Sequence, residues 1–136
     1  MTKILYKGSC VCGKTSYEAY NLNDVSFCHC AQCRNMTGHH MAGCQADRDN
    51  IKIEGSVKWF YTHDKSRHGF CENCGSQMFW QNDNRPTITV TAGSLDDSKK
   101  LKVRHNIFID EKGSYYEINP NEIQHIGYGN NQIADD

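Results

Sequence analysis

Short segments in which apolar and polar residues alternate, or β-branched and aromatic residues concentrate, recur along the whole 136-residue chain. Such patterns are typical of strands, whose successive side chains point to opposite faces of a sheet. Gly, Asn, Asp or Pro bounds each segment, and these residues favour turns. The sequence therefore predicts a mainly β domain of short antiparallel strands. The predicted strands are residues 14–20, 51–54, 58–62, 77–81, 87–91, 103–110 and 115–118.

Helical periodicity is nearly absent, because no window of ten or more residues carries a sustained apolar stripe at i, i+3, i+4 and i+7. At most one helical turn is predicted, near Ala31 to Asn35. Beyond Pro120 a few apolar residues could still pack against the domain, but the last eight residues, 129–136, are polar and rich in Gly and Asn. We expect those residues to be loosely held.

Size and charge narrow the functional classes. A chain of 136 residues fits one small domain, and a core of that size gains stability from a bound metal. The net charge is −1, with basic and acidic residues interspersed, so neither a nucleic acid nor a membrane surface is a predicted partner. The N-terminal segment lacks a secretory signal and no long apolar stretch follows, so a cytoplasmic location is expected.

Eight cysteines dominate the candidate chemistry. In a reducing cytoplasm they are not expected to form disulfides, and seven of them are predicted to bind metal as thiolates. Cys71-x-x-Cys74-Gly is a typical zinc knuckle, and Cys10-x-Cys12 places two sulfurs on one face of an extended segment. We predict that these four cysteines bind one structural zinc ion and so connect distant parts of the chain.

The central motif supplies three further thiolates, Cys28, Cys30 and Cys33. Three protein ligands would leave one position open on a second zinc ion, and an open position permits chemistry on water or on a substrate thiol. A fourth protein ligand would instead make this site purely structural. The residues that could close it are Cys44, His29, His39, His40 and His68. Cys44 is otherwise expected to be a small buried apolar residue.

The three cysteine motifs carry a family resemblance. The segments Gly8-x-Cys10-x-Cys12-Gly13, Cys28-His29-Cys30-x-x-Cys33-Arg34 and Phe70-Cys71-x-x-Cys74-Gly75 occur in this order. They resemble the family of glutathione-dependent formaldehyde-activating enzymes and centromere protein V, a β-rich zinc fold also called Mss4-like. The resemblance covers about residues 4 to 118, so we assign residues 1–118 to this zinc-binding domain and 119–136 to a C-terminal segment.

The resemblance implies a structural zinc at Cys10, Cys12, Cys71 and Cys74, and a catalytic zinc at Cys28, Cys30 and Cys33. The implied activity is a carbon–sulfur lyase that forms or cleaves the adduct of glutathione with a small aldehyde, such as S-hydroxymethylglutathione. His29, beside the second motif, and Arg34, which could pair with a glutathione carboxylate, are the candidate catalytic residues.

Two departures from the family pattern concern the substrate. The full-length family enzyme is longer, with segments that would help to enclose a tripeptide, and His105 is displaced by one residue from the Ile107-Phe108 pair that it directly precedes in many relatives. The alternative function is a non-catalytic zinc-binding interaction module, because the Mss4-like fold also serves in binding and a fold does not determine function. The oligomeric state is not predicted.

Overall fold

The computed structural model describes residues 3–98 and 100–128, and strands make up most of the regular structure in these ranges. The strands are β1 (Leu5–Ser9), β2 (Ser16–Tyr20), β3 (Val25–Cys28), β4 (Met41–Asp47), β5 (Ile51–Glu54), β6 (Val57–Tyr61), β7 (Ser66–Cys71), β8 (Gln77–Asn82), β9 (Thr87–Thr91), β10 (Val103–Ile107) and β11 (Ile123–Gln124). One α-helix is described, α1 (Ala31–Thr37). Short 3-10 helices cover Arg48–Asn50, Ala92–Ser94 and Ile109–Glu111. The mainly β prediction is confirmed.

The strands form two sheets. The smaller has the order β1-β2-β5 and is antiparallel throughout. The larger has the order β11-β10-β3-β4-β9-β8-β7-β6, so that strands distant in sequence become neighbours. Its hairpins β6-β7, β7-β8 and β8-β9 are antiparallel, as short connections require.

The hydrophobic core lies where the small sheet packs on one face of the large sheet. Tyr6, Tyr17 and Ala19 come from the small sheet, and the fully buried Phe79 and Val90 come from the large one. The rings of Tyr17 and Phe79 meet edge to face with centroids 5.4 Å apart. This core uses only one face of the large sheet, which leaves the other face available for a site.

The alternation of side chains in β3 separates these two faces. Val25 is buried in the core and Phe27 packs against it, whereas Ser26 and Cys28 point to the opposite face and line a cavity there. The register of β3 with β4 pairs Ser26 with Gly43, which also lines the cavity. A period of two residues therefore places one set of side chains in the core and the other at the candidate site.

Three sequence-based expectations about the fold are corrected. β10 pairs in parallel with both β3 and β11, so the large sheet is not purely antiparallel. Residues 115–118 form no strand, because the Tyr116 hydroxyl is drawn to the buried ring of His29, 2.7 Å away, and Tyr115 is exposed. The helix after Cys30 extends over two turns, to Thr37.

The described part of the C-terminal segment, residues 119–128, packs against β10. β11 pairs with β10, and the backbone N–H groups of His125 and Phe108 donate to the carbonyls of Asn106 and Gly127. The expectation for residues 129–136 falls outside the described residues. No helix within residues 3–98 and 100–128 has the length and apolar character needed to cross a membrane.

Gly55, in the turn between β5 and β6, provides a test of the fold. Its φ is +98°, and a Cβ atom placed there would lie 2.1 Å from the Lys14 carbonyl oxygen. We expect Gly55→Ala to lower the free energy of unfolding by about 2–4 kcal/mol, because it combines an unfavourable left-handed conformation with a backbone clash. Gly93→Ala is the control, since its Cβ would meet nothing within 4 Å. Equal urea midpoints for the two variants would contradict this geometry.

Candidate metal centres

The first cysteine cluster joins two tight turns. Cys10 and Cys12 follow β1, Cys71 ends β7, and Cys74 lies in the turn that leads to β8. All four sulfur atoms lie within 4.8 Å of one another. The Sγ atoms of Cys10 and Cys12 are 3.6 Å apart, and those of Cys12 and Cys71 are 3.8 Å apart. All four thiols are free, so the cluster could hold a metal ion.

Hydrogen bonds around this cluster lower the pKa of Cys71 and Cys74 and so favour their thiolate forms. The Thr15 N–H donates to Cys10 Sγ at 3.3 Å, and the Cys74 N–H lies 3.5 Å from Cys71 Sγ. Hydrogen bonds from Ser76 lower the pKa of the Cys74 thiol to about 5. Ser76 Oγ also accepts from the Val11 N–H at 3.1 Å, which links the two turns. Stabilised thiolates are the form in which cysteine binds metals.

The position of this cluster connects the two sheets. β1 belongs to the small sheet, and β7 and β8 belong to the large one. Cys10 and Cys71 are buried, whereas Cys12 and Cys74 are exposed at the surface. A metal ion held by these sulfurs would cross-link the sheets beside their common core, as the sequence spacing predicted.

The second cluster lies at the junction of β3 and α1. Cys28 is the last residue of β3, Cys30 is the N-cap of α1, and Cys33 lies in its first turn. Cys30 Sγ accepts a hydrogen bond from the Cys33 N–H at 3.3 Å, which fulfils the usual role of an N-cap side chain. The helix ends at Gly38, whose φ is +84° and whose N–H donates to the Arg34 carbonyl. The three sulfur atoms lie within 4.8 Å of one another.

The three thiols of this cluster influence one another strongly. Hydrogen bonds from Cys28 and Cys33, together with backbone N–H groups of the helix start, lower the pKa of Cys30. The same contacts, with burial, raise the pKa of Cys33, and the contact with Cys30 raises that of Cys28. Three thiols this close together cannot all be ionised without a cation to stabilise their charges.

A cavity of about 260 Å³ opens beside this cluster, and all three of its cysteines contribute to the wall. The first sulfur cluster does not line it. The remaining wall residues are Ser26, Gln32, Met41, Gly43, Gln45, His63, Ser66, Trp80, Thr89, Ile107, Phe108, Glu111 and Tyr128. A concave site with a mainly apolar wall and a few polar groups is typical of small-molecule binding.

The two candidate catalytic residues from the sequence lie outside the residues that line this cavity. His29 directly follows β3 and is buried; its Nε2–H donates to Asn106 Oδ1 at 2.7 Å, and its Nδ1 accepts from the Tyr116 hydroxyl at 2.7 Å. Burial lowers the pKa of His29. The Arg34 Nε–H donates to the Glu111 carbonyl at 2.9 Å. Their catalytic roles stay predictions.

No fourth cysteine, histidine or carboxylate joins the three-sulfur cluster among the described residues. Both ring nitrogens of His68 are hydrogen-bonded, to Gln32 and Gln77. Cys44 is fully buried in the core, as expected of a small apolar residue, and desolvation raises its pKa to about 12. The arrangement can thus bind a metal ion through three sulfurs that face a cavity.

Sequence reasoning did not single out the polar wall opposite the cysteines. Gln32 lies inside the Cys30-x-x-Cys33 motif, and His63 follows the predicted strand 58–62. Neither residue belongs to a sequence motif that indicates a functional role. The contact between them depends on the fold, because residues 32 and 63 lie on α1 and on the β6–β7 turn. The only signal in the sequence was the position of His63 directly after a predicted strand, where functional side chains are often found.

The fold and the site define a small β domain with two cysteine clusters that could hold metal ions. A family model described as glutathione-dependent formaldehyde-activating enzyme matches residues 5–111. The chain belongs to this family. A crystal structure of a Rhodobacter sphaeroides protein, a structural genomics target, is similar with a TM-score of 0.59 and 24% identity. The match covers 69% of this chain and 91% of that chain, and it supports the fold.

Proposed function

We propose that this protein is a zinc-dependent carbon–sulfur lyase that acts on the adduct of a small aldehyde with glutathione or a related thiol. The observation that carries the proposal is the cluster of Cys28, Cys30 and Cys33 in the wall of a cavity. Family membership gives the thiol and the aldehyde their chemical class. The free cysteines suit the reducing cytoplasm, where we place the protein.

The chemistry and spacing of the donors fit zinc. Zinc binds thiolates tetrahedrally at about 2.3 Å, a geometry that separates neighbouring sulfurs by about 3.8 Å. The sulfur distances of 3.6 and 3.8 Å in the first cluster agree with this value. Disulfide sulfurs would be about 2.05 Å apart. Four sulfurs make the first site closed and structural, with Cys10, Cys12, Cys71 and Cys74 as ligands.

The second site is suited to hold a substrate sulfur. A zinc ion there would supply a positive charge that keeps a substrate thiol in its thiolate form. Cys28, Cys30 and Cys33 would hold that ion, and the cavity would hold the rest of the substrate. The protein backbone fixes the ligands, because Cys30 is restrained as the helix N-cap and Cys28 by its strand pairing with Met41.

Besides the change at the carbon–sulfur bond, the lyase reaction requires one proton transfer at the hydroxyl oxygen of the adduct. When the hemithioacetal R–S–CH₂–OH breaks down, the hydroxyl proton leaves, the O–H electron pair forms the carbonyl, and the carbon–sulfur pair returns to sulfur. The products are a thiolate, formaldehyde and one proton. In the reverse direction the thiolate attacks the carbonyl carbon and the oxygen takes up a proton.

Metal analysis tests both sites together. We expect two zinc ions per chain, and we expect cobalt substituted at the second site to change its visible spectrum when glutathione is added. S-methylglutathione is the control ligand, because it has the same peptide but no free thiol, and it should leave the spectrum unchanged. One metal ion per chain, or a spectrum insensitive to glutathione, would favour a non-catalytic zinc-binding module instead.

A further inference from the structure

Three titratable side chains other than cysteines line the cavity: His63, Glu111 and Tyr128. Glu111 Oε1 accepts the Ala31 N–H at 2.9 Å at the start of α1, so this carboxylate already stabilises the helix. Burial raises the pKa of Tyr128, which keeps its hydroxyl protonated at neutral pH. Histidine is the side chain that most readily gains and loses a proton near neutral pH. His63 is the third of these wall residues, and its neutral ring carries one N–H donor and one acceptor nitrogen.

A chain of hydrogen bonds leads from the buried His68 to this histidine. The Gln77 Nε2–H donates to His68 Nδ1 at 2.8 Å, so the proton of the neutral, fully buried His68 ring is on Nε2. His68 Nε2–H donates in turn to Gln32 Oε1 at 3.0 Å. The Thr62 hydroxyl lies 3.1 Å from the same oxygen and 3.4 Å from the Ser66 carbonyl, so its one proton is closer to Gln32. The His68 N–H and the Thr62 hydroxyl therefore orient the Gln32 amide with its oxygen toward His68.

The orientation of Gln32 determines the state of His63. Because its oxygen is turned to His68, its Nε2–H points at His63 Nε2, 3.3 Å away. A neutral His63 must accept this hydrogen bond, so its own proton lies on Nδ1. The basic nitrogen of His63 is therefore the one beside Gln32, and both residues line the cavity.

We propose that His63 is the catalytic residue that carries the proton of the hemithioacetal hydroxyl, and that Gln32 and His68 are its positioning residues. This inference rests on the proposed function. In the breakdown direction His63 takes the hydroxyl proton as the carbon–oxygen double bond forms and the carbon–sulfur pair returns to sulfur. In the reverse direction the protonated ring returns the proton to the oxygen after the thiolate attacks.

The other histidines near the site are less suitable. His29 and His68 are buried with both ring nitrogens bonded to protein groups. His39 and His40 do not line the cavity. His63, in contrast, lies on an exposed turn, and within residues 3–98 and 100–128 its ring has one hydrogen-bond partner, Gln32, at 3.3 Å. A substrate hydroxyl can therefore replace Gln32 at this nitrogen.

Replacing His63 by alanine tests the catalytic role. We expect His63→Ala, with zinc bound, to lower the enzyme-catalysed rate of S-hydroxymethylglutathione exchange by about 100-fold or more, as measured by NMR exchange spectroscopy. Added imidazole should restore part of the lost rate, because it supplies the missing base. His39→Ala is the matched control, because His39 is an exposed histidine outside the cavity wall. This variant should have the wild-type rate, and added imidazole should not change that rate.

The outcomes separate the two proposals. If the wild-type protein with both metals bound does not accelerate the exchange, the proposed function fails. If the wild type is active and His63→Ala keeps its rate, or loses it without any rescue by imidazole, the assignment of His63 is overturned while the lyase stands. A matched loss in His39→Ala would equally overturn it.

The positioning role has a readout that does not depend on activity. Gln32→Glu keeps the oxygen that accepts from His68 and Thr62 but replaces the N–H beside His63 with a second oxygen. His63 should then move its proton to Nε2, whereas His68 keeps its own, and two-bond proton–nitrogen NMR correlations report both tautomers. An Nδ1 proton on His63 in the wild type that shifts in Gln32→Glu supports the chain of bonds. Unchanged His63 nitrogen signals would refute it.

Discussion

Replacing Cys71 by serine is expected to lower the melting temperature by about 15 °C or more, or to unfold the protein. A structural zinc ion contributes its binding free energy to folding, and a loss of about 4 kcal/mol corresponds to a shift of this size in a domain of 136 residues. Cys71 is the ligand with the most central position, since it ends β7 and is 1% exposed. Thermal unfolding followed by circular dichroism provides the measurement.

Cys44→Ser is the matched control for this experiment. Cys44 is also fully buried in the core, but it belongs to neither sulfur cluster, so the change introduces a buried hydroxyl without removing a proposed ligand. That hydroxyl should cost about 1–3 kcal/mol. A zinc chelator should destabilise the wild type and Cys44→Ser but leave Cys71→Ser unaffected. If Cys71→Ser melts like Cys44→Ser and responds equally to the chelator, the structural site is refuted.

The sequence predicted those parts of the fold in which local pattern and tertiary environment agree. The strands at 51–54 and 87–91 have the predicted bounds. The alternating residues of β5 match its alternation of half-buried and exposed positions, and the β-branched residues of β9 match its mostly buried positions. β7 was not predicted, since it contains Arg67, His68 and Gly69. Its burial depends on side chains of the neighbouring strand β6. The Arg67 guanidinium stacks on Trp59, and the same ring lies 2.8 Å from the position of a Gly69 Cβ.

The two cysteine clusters could be predicted because the chemistry of metal binding is encoded in short spacings, whereas the cavity could not. The structure groups the cysteines into the two predicted clusters. The wall, by contrast, combines residues from α1, the β6–β7 turn, β8, β9 and the C-terminal segment. The parallel pairing of β10 with β3 brings Phe108 and Tyr128 to this site, and no local pattern indicates such a pairing.

Replacing Cys30 by serine is expected to leave the fold intact and to remove the second metal ion together with the activity. Serine is a better helix N-cap than cysteine, so its hydroxyl can accept the Cys33 N–H in place of the sulfur. The melting temperature should therefore change by less than about 4 °C. The zinc content should fall from two ions per chain to one. The exchange rate of S-hydroxymethylglutathione should fall by about 100-fold or more, because loss of a metal ligand should lower activity more than loss of a residue that only supports a ligand.

Cys12→Ser provides the opposite case, because Cys12 is an exposed ligand of the first cluster and its replacement buries no new polar group. It should lose the structural metal and stability, whereas Cys30→Ser should lose only the second metal and activity. Cobalt spectra of the two variants identify which site remains, since four sulfurs and three sulfurs give different absorption. If Cys30→Ser unfolds as Cys12→Ser does, the three-sulfur cluster is structural, and the thiol chemistry proposed for the cavity loses its metal centre.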